Sequence, residues 1–274
     1  MLVLIKGAGD LATGVALRLY RAGMDVVMTE IAQPTAVRRT VAFCQCIYDG
    51  SARVEGVAAR RVNTRTEICT CLERGEVPVR VDPKAQVRTW FPFDGEVDAV
   101  LAKRNLGTRM DDAPVVVALG PGFTAGIDCH AVIETKRGHY LGRVITRGSA
   151  IPNTGVPGDV GGYTSERLIR ACRDGVFEPV ASIGDTVAQG DVVARVDGEP
   201  VYAQMSGMVR GMLPGGLRVR AGMKAGDIDP RCSYGHCFTV SDKARAVGGG
   251  VLEALLAFQA GARGKREGER SWNG

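Results

Sequence analysis

A glycine-rich turn set between an apolar strand and an amphipathic helix constrains this chain more than any other feature. Residues 2–6 (LVLIK) are a short apolar run, GAGD follows, and Leu11, Val15, Leu19 and Ala22 repeat at helical spacing over residues 11–22. Gly23 stops the helix, and DVVMTE (25–30) reads as a second buried strand. This order makes a β-α-β unit with parallel strands. The turn itself, Gly7-Ala8-Gly9-Asp10-Leu11-Ala12-Thr13-Gly14, fits G-x-G-x-x-A with one further glycine. In such a turn Gly7 permits the tight bend, Gly9 admits a phosphate to the backbone, and Ala12 or Gly14 lets the helix close on the strand. Exposed N–H groups at the helix start, with the helix dipole, favour an anion. Glu30 ends the second strand about 20 residues beyond Gly9, where dinucleotide folds place the carboxylate that binds ribose hydroxyls. The expected ligand therefore carries a phosphate, and the competing reading is a packing turn with no ligand.

The remaining bulk properties narrow the class. The 274 residues suffice for one large domain or two ordinary ones, and 45% hydrophobic with 24% charged residues is a globular composition. No apolar run reaches the roughly 20 residues of a membrane helix. MLVLIKGAGD lacks a basic n-region and a cleavage site and reads as a first strand. A cytoplasmic protein with no membrane partner is expected. Two of the five net positive charges sit in the C-terminal tail, and the rest are spread along the chain without a basic stripe, which argues against nucleic acid and for small anions. The eight cysteines include the C-x-C pairs Cys44/Cys46 and Cys69/Cys71, and Cys232 and Cys237 flank His236. These spacings do not make a zinc set, so reduced, mostly buried thiols are expected.

Beyond Glu30, residues 41–48, 52–62, 77–82, 96–105 and 113–122 read as strands or strand-bearing segments, and 64–74 as a helix capped by Thr64 or Thr66. Residues 129–148 read as a hairpin turned at Arg137-Gly138, and SERLIRACRDG (165–175) as a helix. The expectation is an α/β protein: a Rossmann-like parallel-sheet domain over 1–175 that binds the ligand. From Val180 onward, short apolar pairs alternate with glycine corners, and GDTVAQGDVVARVDG is nearly repeated by GLRVRAGMKAGDIDP. That pattern resembles the biotinyl/lipoyl fold and predicts a small all-β barrel-sandwich module over 176–240. Its hairpin tip, Asp197-Gly198-Glu199-Pro200, has no lysine to carry a prosthetic group. A C-terminal helix (241–259) is expected to pack on the first domain, its three glycines allowing close backbone approach. Residues 260–274 are expected to be a flexible tail.

Several residues are candidate cofactor-binding contacts. Gly7, Gly9, Asp10, Leu11, Ala12 and Gly14 form the turn, with Asp10 either a hydroxyl or metal contact or the helix N-cap. Arg38 and Arg39 follow the second strand and can reach a further phosphate; a solvated surface pair is the alternative. Lys103, Arg104 and Asn105 of AKRNLGT fall at a strand end, where open α/β sheets bind ligands. Gly120, Pro121 and Gly122 make a second glycine turn after the most apolar strand. Asp128, Cys129, His130, Glu134, Arg137 and His139 cluster next, but His130 and Glu134 lie about 13 Å apart on one strand, so no metal set is assigned. NTGVPGDVGG (153–162) suits a lid, a binding loop or a linker. No catalytic residues are identified.

Taken together, GAGDLATGVALRLYRAGMDVVMTE, RRTVAF, AKRNLGT, LGPGFTAGIDCHAVIETKRGHYLGRVI, PNTGVPG and KAGDIDPR resemble the YqeB family, from Met1 to about Phe258. That family is distantly similar to XdhC-type proteins, which handle molybdenum cofactor. The resemblance implies a maturation factor for a selenium-dependent molybdenum hydroxylase, binding a molybdopterin-type cofactor or nucleotide and delivering or modifying it. The implied partners are a molybdenum hydroxylase or a cofactor-biosynthesis protein, with a homo-oligomer also compatible. The competing expectations are an NAD(P)-dependent oxidoreductase and a non-catalytic module that docks a partner enzyme.

Overall fold

The computed structural model describes residues 1–155 and 158–270, with backbone alone over 261–270. The first strand, helix and second strand form as the periodicity predicts: β1 Leu2–Lys6, α1 Asp10–Arg21 and β2 Asp25–Glu30, with β1 and β2 parallel. Gly7 sits at φ +92, and a Cβ there would lie 2.9 Å from the Ala99 carbonyl oxygen. Only glycine satisfies both conditions.

The following segment departs from expectation. Residues 41–48 form two 3-10 turns and the short helix α2 Cys46–Asp49, not a strand. Val41, Ala42, Phe43, Cys44, Cys46 and Ile47 are all buried, and an apolar run without a period does not distinguish helix from strand. Residues 52–62 divide into a hairpin, β3 Ser51–Val54 and β4 Val57–Val62. Its turn residues Glu55 (φ 46) and Gly56 (φ 87) are both left-handed, as a tight hairpin demands. Helix α3 Arg65–Glu73 begins at a capping box in which Thr64 and Glu67 satisfy each other's backbone N–H groups. Then come β5 Val77–Val81, β6 Gly95–Asp98, β7 Val116–Leu119, β8 Ala131–Ile133 and β9 Val144–Ile145.

These strands make one nine-stranded sheet in the order β3-β4-β5-β2-β1-β6-β7-β8-β9. Pairing is parallel from β4 across to β8, with antiparallel β3 and β9 at the two edges. The remaining strands are β10 Leu168–Arg170, β11 Gly175–Pro179, β12 Thr186–Val187, β13 Val192–Val196, β14 Glu199–Tyr202, β15 Gly207–Met212, β16 Arg218–Val219 and β17 Lys224–Asp229. They form two four-stranded sheets, β10-β17-β15-β12 and β14-β13-β11-β16, with antiparallel pairing throughout. The expected Rossmann-like parallel sheet followed by a lipoyl-like barrel is therefore corrected to a mixed sheet plus two antiparallel sheets. The predicted helix at 165–175 is corrected as well. A 3-10 turn, Ser165–Arg167, leads into β10, whose Leu168 and Ile169 are buried against β17.

Alternation along β1 sets the layers. Val3 and Ile5 face the core shared with α1 and the last helix, α5 Asp242–Arg270, while Leu4 faces the core under α3 with Ile68 and Cys71. A short helix, α4 Gly235–Phe238, precedes α5. Gly14 and Gly248 let α1 and α5 touch: a Cβ on Gly14 would lie 2.6 Å from the Ala244 Cβ, and one on Gly248 2.9 Å from the Gly14 carbonyl. Gly14 thus admits α5, not a strand. Helix α5 continues through Arg270, beyond the predicted end at 259, and the last four residues of the predicted tail lie outside the described residues. The antiparallel sheets enclose their own core around Phe177, Val193, Val209 and Ile228, which takes in Val37 from the segment after β2. Among the described residues no helix is long and apolar enough to cross a membrane. Replacing Gly14 with leucine is expected to force α5 off α1 and cost about 1–3 kcal/mol, read from the urea midpoint of unfolding.

Candidate functional site

The carboxyl ends of the parallel strands open onto a cleft whose far wall is the antiparallel sheet carrying β10, β15 and β17. Two adjoining lobes, of about 450 and 500 Å³, share Arg137, Asn153, Gly158 and Lys243. The start of α1 contributes Asp10 and Leu11, and the start of α5 contributes Ser241 and Lys243. Ser241 caps α5 by accepting a hydrogen bond from the Ala244 N–H at 3.1 Å.

The cleft is strongly cationic. Arg38, Arg167 and Arg210 line it while only 7%, 5% and 8% exposed, and Lys103, Arg137, Arg170, Lys224 and Lys243 complete the lining. Asp10 and Asp227 are the carboxylates of the smaller lobe, and Asp159 lines the larger one. Asp227 is fully engaged: Arg167 Nη1 reaches one oxygen at 2.7 Å and Arg210 Nε the other at 2.9 Å. Arg210 also contacts Asp229 at 3.3 Å, and Arg231 holds Asp229 at 2.6 Å. Burial would raise the Asp229 pKa, but the Arg231 hydrogen bond, with Arg210 nearby, holds it at about 2.

Arg38 ties the two halves of the chain. Its Nη2 donates to the carbonyls of His236 (2.9 Å) and Thr239 (3.1 Å), and its Nη1 lies 3.8 Å from Asp10. Its Nε, like His236 Nδ1, is buried and without a hydrogen-bond partner among the described residues. Asp10 is not the helix cap, since Gly9 occupies that position without any side-chain bond.

Other predicted contacts fall elsewhere. Glu30 turns inward and accepts the Ala8 N–H at 2.9 Å and the Ile31 N–H at 2.8 Å. Its carboxylate closes the glycine turn from below, and burial raises its pKa against those two bonds. Gly9 has open space, the nearest contact of an added Cβ being Ala36 at 3.9 Å. Ala12 is buried in the core. Arg39 does not point to the cleft; its Nε donates to the Met212 carbonyl at 2.7 Å and fastens the antiparallel sheet. Asn105 builds a turn, accepting from Gly107 and Thr108 N–H groups and donating to the Thr108 carbonyl. The exposed Arg104 serves through its backbone, which lies 2.6 Å from where a Gly122 Cβ would be. Gly120 packs against Thr135, and Pro121 lines the larger lobe.

The acid and histidine cluster is structural. Asp128 accepts the Thr124 N–H at 2.7 Å, and Glu134 accepts those of Lys136 (2.7 Å) and Ile151 (2.8 Å). His130 Nδ1 accepts the Val116 N–H, and burial lowers its pKa. Among the described residues no group of three or more His, Cys, Asp or Glu is placed to hold a metal ion. All eight cysteines are free; burial pushes the Cys46, Cys71 and Cys129 thiols up to about 12, and Cys44 rises further. Of the 153–162 segment, Asn153, Gly155 and Gly158 line the cleft, and residues 156–157 lie outside the described residues. Arg167, Arg210 and Asp227 went unnoticed in the sequence, where nothing marks an arginine as buried.

No protein-family profile matches the chain. Over 255 residues, 93% of its length, it is 54% identical to the protein of Escherichia coli (strain K12) named "uncharacterized protein YqeB", which supports the YqeB resemblance. The chain spans 47% of that relative. Among solved structures it is similar to an aspartoacylase-family protein from Mesorhizobium loti, at 15% identity, with 83% of this chain and 84% of that one covered and a TM-score of 0.29. A succinylglutamate desuccinylase/aspartoacylase from Rhodobacter sphaeroides follows at 16% identity, with the same coverage and a TM-score of 0.25. Scores this low transfer neither fold nor chemistry.

The functional expectations are nonetheless corrected. The carboxylate assigned to a ribose is spent on the Ala8 and Ile31 amides. Neither the molybdopterin-type or nucleotide cofactor, the molybdenum hydroxylase maturation role nor the NAD(P) oxidoreductase reading is retained.

Arg137 grips Asp242 through both carboxylate oxygens, at 2.5 and 2.9 Å, and lowers its pKa from 3.8 to about 2. A depressed carboxylate pKa contributes stability above the unfolded value, and that contribution is lost as pH falls through the folded one. Acid unfolding is expected to show a stability loss between about pH 4 and 2 that Asp242→Asn removes, measured by urea titration at stepped pH.

Proposed function

We propose that the chain binds a small, multiply charged oxyanion, a dicarboxylate or a phosphate ester, in the cleft between its mixed sheet and its antiparallel sheets. The observation that carries this reading is the excess of cationic over acidic side chains lining one concave volume, three of the cations being buried guanidiniums. Buried like charges repel and are costly to desolvate. Asp227 offsets Arg167 and Arg210, but Arg38 has only Asp10, 3.8 Å away. An anion in the cleft supplies the missing countercharge.

Three further features support it. The first N–H groups of α1 have no intrahelical acceptor, and Leu11 of that turn lines the cleft. Arginine is suited to planar oxyanions, which it binds through two parallel N–H groups. A volume of about 450 Å³ falls in the range of small-molecule sites.

Calorimetric titration with glutarate and with pyrophosphate separates the two anion chemistries. Binding of one or both is expected, weakening steeply with ionic strength. Lys224 is exposed and lines the cleft, so Lys224→Gln is expected to lower affinity about tenfold while leaving the circular dichroism spectrum unchanged. Absence of binding of both anions at low salt overturns the reading.

A further inference from the structure

Among the described residues Lys243 is the one cleft lysine that is not exposed. It sits in the first turn of α5, where the helix dipole disfavours a cation. It lines both lobes of the cleft, at their junction. The neighbouring carboxylate, Asp242, is taken by both nitrogens of Arg137. Among the described residues no carboxylate oxygen lies within 4.0 Å of Lys243 Nζ, and no hydrogen bond holds it. Every other lining cation is an arginine or an exposed lysine.

We propose that Lys243 is the amine through which the cleft engages a carbonyl-bearing anion, a 2-oxo dicarboxylate, as an imine. The proposal rests on the oxyanion reading and adds the ligand's carbonyl to it. The arginines hold the carboxylates, and the amine at the lobe junction meets the carbon between them. In the step, the Nζ lone pair attacks the carbonyl carbon and a C–N bond forms. The carbonyl C–O bond breaks, and the oxygen leaves as water carrying both amine hydrogens, so no outside reagent is needed.

Burial, more than the neighbouring charges, favours a neutral amine at Lys243. Burial lowers its pKa first; Arg137 and Lys224 lower it further, while Asp10 on α1 and Glu134 after β8 oppose them. Desolvation beside other cations is a recognised way to activate an amine nucleophile.

The test incubates the full chain with 2-oxoglutarate and sodium borohydride, then reads intact mass and maps peptides. One reduced adduct per chain on Lys243 is expected. Lys243→Arg is expected to lose at least nine-tenths of the adduct, with folding checked by circular dichroism, and Lys84→Arg, an exposed lysine away from the cleft, to keep it. Glutarate, which has no carbonyl, is expected to suppress labelling by competition. Adduct spread over Lys84, Lys103 and Lys224 overturns the imine. So does glutarate binding without any adduct, which leaves the oxyanion reading standing. If neither glutarate nor pyrophosphate binds and no adduct forms, both fall.

Discussion

Asp227 holds two guanidiniums at once, Arg167 on one oxygen and Arg210 on the other, at 2% exposure. Because these three residues belong to the turn before β10, to β15 and to β17, the carboxylate ties three neighbouring strands of that sheet together. Removing one member of such a buried set costs about 3–5 kcal/mol, since the others are left charged and unpaired. Arg210 then reaches Asp229, and Asp229 reaches the exposed Arg231, so positive and negative charges alternate from the cleft wall through the sheet to a second surface. The cationic face of the cleft is one end of that alternation.

Local chemistry made some elements legible in the sequence. The bounds of β1, α1 and β2 followed from periodicity and from the glycines that stop or bend the chain. Thr64, one of the two caps the sequence offered for α3, is the one used, because with Glu67 three residues on it closes a capping box. What stayed hidden depended on partners far along the chain. Residues 168–170 are a strand only because β17 lies beside them, and their short apolar run fits a helix equally well. The two antiparallel edge strands of the large sheet are set by pairing that no local pattern encodes. The same holds for the antiparallel sheets, whose glycine corners announced short strands but not their division into two layers.

The site divides along the same line. Gly7, Asp10, Leu11, Arg38, Lys103 and Pro121 fall at or next to the cleft, because the turn and the strand ends were placed by local rules. Glu30, Arg39 and Asn105 looked equally suited to a ligand, yet each is satisfied by backbone groups. Distance in sequence cannot tell a carboxylate that awaits a hydroxyl from one that already holds two amides. Arg167 and Arg210 were missed for the converse reason, since a buried arginine reads in sequence like any surface one.

The cysteines carry a consequence of their own. Cys172 and Cys232 are exposed, whereas Cys44, Cys46, Cys71, Cys129 and Cys237 are buried, with thiol pKa values raised by that burial. An alkylating reagent in neutral solution therefore meets two kinds of sulfur, one open to it at all times and one only when the surrounding layer parts. Four of the buried thiols belong to different parts of the structure: Cys46 on α2, Cys71 on α3, Cys129 before β8 and Cys237 on α4. The rates at which they become modified are a set of built-in clocks, each timing the opening of its own layer while the rest of the chain stays folded.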